Sequence, residues 1–280
     1  MSSYYIRKGL NILREKGLIE LAKSLIRFSK LGYRRTFIGD IEFTIRCTWN
    51  KWNNQLKWDA PADPFNTILI NPDDMKFTKG SAAKINKYNG LGQISGGSWD
   101  KHPKKLNEHP THNGLKQRFE EGMSWEETIY VKRQYQKFEN VGKCSWGHDT
   151  PADFIENRCS FVDNLHDSIR DNGYICEKNE YTNRELDDTN LGRAHDKLKP
   201  HHKLEPLICI GRNGEYILIE GHHRVTISNI LNLNNIPVNV LCRHEKWQET
   251  RDRVYNEGIS AGQEKKLIQH PDLQDILTGY

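Results

Sequence analysis

The sequence of 280 residues predicts a mixed α/β fold. Three neighbouring observations between residues 204 and 241 predict it. Ile217-Leu218-Ile219 is an apolar run of strand type that breaks at Glu220-Gly221-His222-His223-Arg224. Val225, Ile227, Ile230 and Leu231 then recur at helical spacing until Asn234-Asn235, and Ile236 to Leu241 reads as the next strand. Leu204 to Ile210 reads as a further strand, joined to the first by the hairpin-type turn Gly211-Arg212-Asn213-Gly214. A glycine turn, two histidines and an arginine therefore stand where a strand meets a helix N-terminus. Backbone N–H groups and the positive end of the helix dipole gather there, which suits an anion such as phosphate. Gly221 lets the backbone approach closely, and Arg224 has the fork geometry for a bidentate grip. An ordinary strand-to-helix turn with solvated histidines is the competing reading.

Composition bounds the rest. With 36% hydrophobic residues and a mean hydropathy of −0.80, the chain is polar with a modest core. No apolar run is long enough for a transmembrane helix, and MSSYYIRKGLNIL lacks the continuous apolar stretch of a secretory signal. Cys47, Cys144, Cys159, Cys176, Cys209 and Cys242 are scattered without a CxxC pair, so a reduced, cytoplasmic protein is expected. The net charge of +4 is unevenly placed: nine Lys/Arg and two Glu lie between Arg7 and Arg35, leaving the remainder mildly acidic. A chain-wide affinity for nucleic acid backbone is not expected from that distribution.

Residues 7–35 read as a basic amphipathic helix. Leu18, Leu21, Leu25 and Phe28 fall on one face, and Lys16, Lys23, Arg27, Lys30 and Arg34 on the other. Attachment to an anionic membrane surface, on the inner face, and simple packing on the domain are the two readings of such a helix. Thr36 to Trp49 alternates as a strand through Phe37, Ile41, Phe43 and Ile45, followed by a polar loop holding Trp49, Trp52 and Trp58. Asp59 to Pro64 reads as a linker, which divides a leading unit (1–60) from a central domain (61–245) and a helical tail (246–280).

Thr67 to Ile70 is a short strand. The stretch 77–155 looks irregular, apart from a helix from Trp125 to Phe138 with Ser124 as N-cap and Glu127 completing a capping box. His102, His109 and His112 lie in a Pro/Lys/Asn-rich setting without HExxH or CxxC spacing, so they are expected to be solvated loop histidines. Trp99 and Asp100, after two glycines, are candidate substrate contacts. Asn157 to Asn172 reads as a helix stopped at Gly173, 177–200 as a charged insertion, and His244 to Tyr255 as another helix.

Taken in order, four pieces resemble the ParB/sulfiredoxin superfamily. They are the strand entering Asn71-Pro72-Asp73-Asp74-Met75, the helix and turn Leu165 to Ile175, the hairpin Pro206 to Gly221, and the box Gly221-His222-His223-Arg224 running into a helix and Ile236-Pro237-Val238-Asn239-Val240. The box is similar to the GERR of ParB proteins, the GCHR of sulfiredoxins and the DGHHR of free-serine kinases of this fold. The resemblance covers about residues 65–245, interrupted by insertions at roughly 77–155 and 177–200. It implies a small mixed-sheet α/β core with a large irregular insertion and an N-terminal amphipathic helix.

The resemblance also implies a nucleotide whose phosphates are held by Gly221, His222, His223, Arg224 and Thr226. Glu220 matches the acidic residue before the serine-kinase box, where a carboxylate could hold magnesium or take a proton from an acceptor hydroxyl. Glu220 and His222 are thus the candidate catalytic groups, ATP or another NTP with magnesium the expected cofactors, and a hydroxyl compound the acceptor. His222 stands where sulfiredoxins carry their catalytic cysteine, so sulfinic-acid reduction is not expected. The ENxxR segment and the helix-turn-helix domain of ParB proteins are not found, which disfavours a DNA clamp. A kinase-like phosphotransferase is the leading expectation. A non-catalytic ParB-like nucleotide switch or DNA-binding module is the alternative, with a purely structural protein behind both.

Overall fold

The computed structural model describes residues 37–80, 85–175, 204–259 and 265–277. The predicted helix at 7–35 and the charged insertion at 177–200 lie outside the described residues. A seven-stranded mixed sheet organises the chain. Its strands are β1 (Thr67–Ile70), β2 (Phe77–Thr78), β3 (Gln93–Ser95), β4 (Lys104–Lys105), β5 (Leu207–Ile210), β6 (Tyr216–Glu220) and β7 (Ile236–His244). The spatial order is β1-β7-β5-β6-β2-β4. β3 lies parallel to the far half of β7, beyond the half that pairs antiparallel with β1. The β5–β6 pair is the hairpin expected around Gly211 to Gly214, and β5 runs parallel to β7.

The sheet is buried on both faces, and the strands alternate accordingly. Ile208, Ile210, Tyr216 and Leu218 join one core cluster with Val225, Val238, Val240 and Trp247. Leu207, Cys209 and Ile217 join the other, with Phe43, Cys47, Leu91 and Leu241. Helix α1 (Phe37–Gln55) covers that second face. Here the structure corrects the strand expected over Thr36 to Trp49 and the loop after it. Phe43, Cys47 and Asn54 are buried at helical spacing, and that face outweighs the period-two pattern of Phe37, Ile41, Phe43 and Ile45. Ile41, Ile45, Trp49 and Trp52 fall on the opposite side of α1 and are exposed, as is Leu56 just beyond its end.

The supposed linker is pinned rather than loose. The Ala60 carbonyl accepts from Gln248 and Arg251, and its N–H donates to Asp252. All three partners lie on α6 (Glu245–Glu257), whose Trp247 and Val254 belong to the first core cluster along with Leu273 of the tail. Residues on both sides of position 60, and on both sides of position 245, thus share the sheet's two cores.

The stretch 77–155, irregular by sequence, supplies β2, β3, β4 and the helices α2 (Pro110–Phe119) and α3 (Ile129–Val141). Glu127 accepts from the Ser124 N–H and hydroxyl at the head of a 3-10 turn, while Thr128 caps α3 itself. A π segment, Phe154–Cys159, leads into α4 (Ser160–Asn172). Together these helices form a second layer with its own apolar core of Leu115, Trp125, Tyr130, Val131, Phe154 and Val162. Helix α5 (His222–Ile230) lies between that layer and the sheet: Val225 packs into the sheet core and Ile227 into the helical one. Residues 225–228 are fully buried as a result.

Candidate functional site

The site is built from the end of β6 and the start of α5. The chain must pass from extended to helical backbone within one residue, and Gly221 does so at φ 94°. A Cβ there would lie 2.7 Å from Cβ of Pro206, so the position also has no room for a side chain. With glycine at the N-cap, α5 begins without a side-chain cap. The 3-10 turn at Pro72, α3, the turn at Pro151 and α6 are capped by Asn71, Thr128, Thr150 and His244. The first-turn N–H groups of α5 therefore concentrate positive potential at the carboxyl end of β6.

Four imidazoles gather around this turn. His222 shares a 2.8 Å hydrogen bond between Nε2 and the Thr78 hydroxyl and stacks on His109 at 4.2 Å between ring centroids. His109 caps α2 by accepting the Thr111 N–H at Nδ1, and His112 meets the buried Thr226 hydroxyl at 3.2 Å. The expectation that His109 and His112 are solvated loop residues is corrected. His109-Pro110-Thr111 is a helix start, and α2 packs directly on α5. Burial disfavours the charged rings, and nearby positive charges add to it: His109 and His112 for His222, Lys116 for His112, and Arg133 and Lys104 for His109. His222 falls to about 3 and His112 to about 4, with His109 also lowered. At neutral pH the cluster is uncharged, and His222 is a weak base for catalysis.

His223 points to the helical layer. Its Nε2 lies 2.9 Å from the Tyr130 hydroxyl and its Nδ1 3.4 Å from Arg158 Nη2. Burial, reinforced by the Arg158 charge, holds it neutral, and burial pushes Tyr130 up to about 12. Gly114 makes this contact possible, since any Cβ there would collide with Tyr130 across the α2–α3 interface.

The remaining residues of the box are already engaged. Arg224 donates to the Leu204 carbonyl (3.1 Å) and the Tyr174 hydroxyl (3.4 Å), and its guanidinium lies 3.5 Å from the buried Glu205 carboxylate. Its position was expected to grip phosphate; its charge is instead offset from within the chain. Thr226, expected beside phosphate, is fully buried against His112. Glu220 forms an ion pair with Lys87 at the rim. Among the described residues no three His, Cys, Asp or Glu side chains are grouped to hold a metal ion. A magnesium ion at Glu220 would thus depend on nucleotide phosphates for its other ligands and would have to displace Lys87.

Trp99 and Asp100 are not part of this site. They sit beside the 211–214 turn, at the opposite end of β6, which at ~3.3 Å per residue is about 15 Å away. Both are buried; Trp99 donates to the Ser95 carbonyl, and Asp100 receives Arg212 through Nε (2.7 Å), Nη2 (2.6 Å) and the backbone N–H (3.0 Å). Burial alone would raise the Asp100 carboxyl, but the Arg212 bonds and charge hold it at about 2. This is an anchor for the hairpin.

A cleft of about 500 Å³ lies between α2, β2 and the far end of α5, lined in part by Lys76, Lys105, His112, Lys116 and Asn229. Asn229 is seven residues beyond His222, about 10 Å along the helix, so this cleft flanks the box without containing it. Thr78, Lys87, Tyr130 and Arg158 were not singled out from sequence. Each lies far along the chain from the box residue it contacts, and none belongs to a local motif. Comparison with protein-family models, with curated proteins and with solved structures found no match to this chain.

Proposed function

We propose that the chain is a nucleotide-dependent phosphotransferase of kinase-like type, with the nucleotide phosphates seated on the N-terminus of α5. The observation that carries this reading is the uncapped first turn of α5, set at the end of β6 behind Gly221 and beside Lys87. The ParB/sulfiredoxin resemblance of the box supports it. In this reading the N–H groups of His222 and His223 take phosphate oxygens, and Lys87 moves from Glu220 to the phosphates. Glu220 is then free to hold magnesium or to accept the proton of an acceptor hydroxyl. ATP or another NTP with magnesium is the proposed cofactor set, and the cleft beside His112 is the proposed acceptor side. Attachment to an anionic membrane through residues 7–35 lies outside the described residues.

A non-catalytic nucleotide switch is the second reading, and the Lys87–Glu220 pair favours it, because the carboxylate that chemistry would need is taken. Titration of Mg·ATP into wild type and Lys87→Ala, with parallel measurement of phosphate release, tests both. Binding that weakens about tenfold in the variant, together with hydrolysis, supports the phosphotransferase. Binding without turnover supports the switch. Absence of binding at millimolar nucleotide removes both.

A further inference from the structure

Arg158 carries a charge that no carboxylate among the described residues offsets. The residue is 8% exposed, and no carboxylate among the described residues lies within ion-pair distance of it. Its guanidinium stands 4.6 Å over the ring of Trp146 and 5.0 Å over that of Phe161, and its Nε is buried without a hydrogen-bond partner. Among the described residues, the other arginines buried to this degree have a carboxylate: Arg243 and Arg251 share Asp272. A buried cation left with aromatic faces, an imidazole and the Tyr130 hydroxyl, and no carboxylate among the described residues, is costly unless an anion completes its shell.

Its surroundings say where that anion would sit. Arg158 belongs to the π segment Phe154–Cys159, a local widening that frequently marks functional positions. Arginine donates only, so His223 Nδ1 must be the acceptor of the Nη2 bond. The His223 proton then lies on Nε2 and is donated to the Tyr130 oxygen, leaving the phenol hydrogen to be donated elsewhere. His223 is in the first turn of α5, so Arg158 and Tyr130 are tied through its imidazole to the turn whose N–H groups lack a side-chain cap. The box arginine, Arg224, is meanwhile committed to Glu205, Tyr174 and Leu204.

We propose that Arg158, and not Arg224, is the guanidinium that grips a phosphoryl-class anion at the N-terminus of α5, with the Tyr130 hydroxyl as a second donor. This rests on the phosphate reading of the box and adds a contact supplied by the helical layer. The guanidinium is packed against the rings of Trp146 and Phe161, which limits its freedom, so a bidentate grip on two phosphate oxygens needs little further ordering.

The test uses the full chain and inorganic pyrophosphate as the probe, titrated calorimetrically into wild type, Arg158→Gln, Arg158→Lys and Tyr130→Phe, with melting curves of each. Affinity is expected to fall at least tenfold in Arg158→Gln, to recover partly in Arg158→Lys, and to fall severalfold in Tyr130→Phe. The melting temperature of ligand-free Arg158→Gln should stay level or rise, because an unoffset charge has gone; a purely structural arginine would lower it. In wild type, pyrophosphate should shift the His223 imidazole and Trp146 indole resonances and leave those of Trp247 in place, a readout that needs no variant to fold. Unchanged affinity in folded Arg158→Gln, or resonances that do not move while pyrophosphate binds, overturns the assignment to Arg158 and leaves the phosphate reading standing. Absence of pyrophosphate binding to wild type overturns both.

Discussion

Acid should destabilise this protein well above the range where carboxylates titrate. His112 and His222 have folded-state pKa values near 4 and 3, against an ordinary 6.5, because both are buried, with Lys116 beside His112 and the other imidazoles beside His222. A depressed imidazole contributes stability that is complete above the unfolded pKa and is lost as pH falls toward the folded one. Between pH 6 and pH 4.5 the unfolded chain holds both protons and the folded chain neither, so stability falls by about 1.4 kcal/mol per histidine per pH unit. From pH 7.5 to pH 5 the two together remove about 4 kcal/mol, a large part of the 5–15 kcal/mol typical of a folded domain. His109 and His223 add in the same direction. The strongly depressed carboxylates, Asp100 and Asp272, lose their contribution only below their unfolded value of 3.8 and stay out of this window. Urea denaturation at intervals from pH 7.5 to pH 5 measures the slope directly. His112→Asn should remove about 2 kcal/mol of the loss at pH 5, after about 1 kcal/mol of destabilisation at pH 7.5 from the altered Thr226 bond. Stability constant within about 0.5 kcal/mol across that range would refute the account of a buried, neutral histidine cluster.

Other outcomes follow from the same contacts. Arg224→Ala should cost about 2–3 kcal/mol in chemical denaturation, since it leaves the Glu205 carboxylate buried with Tyr174 as its remaining partner of this set, and should leave pyrophosphate affinity within twofold. Asp100→Ala should lower stability in chemical denaturation by releasing the 211–214 turn from its carboxylate anchor, without changing nucleotide affinity, because it acts at the far end of β6. Cys47, Cys144, Cys159, Cys209 and Cys242 are buried, and burial raises the thiols of Cys47, Cys144, Cys159 and Cys209. A thiol reagent should therefore leave all five unmodified in the native protein and label them in urea. Gly221→Ala should cost about 2 kcal/mol or more, from a positive φ and contact with Pro206, measured by thermal melting.

The sequence by itself determined the hairpin β5–β6, the turn at Glu220-Gly221 and helix α5 running into β7. Each of these is specified by residues adjacent in the chain: the apolar alternation, the GRNG turn and the helical spacing of Val225, Ile227 and Ile230. The capping box at Ser124-Glu127 was legible for the same reason, although it heads a 3-10 turn and the helix expected from Trp125 starts at Ile129 behind Thr128. Helix α1 was not, because Phe37, Ile41, Phe43 and Ile45 satisfy a strand period while the burial of Cys47 and Asn54 is decided by Leu91 and Gly92 from another part of the chain. Only the tertiary structure brought His109, His112, Thr78, Tyr130 and Arg158 to the box, across separations of 65 to 144 residues that leave no periodic trace. It likewise carried Trp99 and Asp100 to the wrong end of β6 and turned Arg224 inward to Glu205. Local backbone preference is written in neighbouring residues, whereas the partner of a buried charge depends on which helix packs over it.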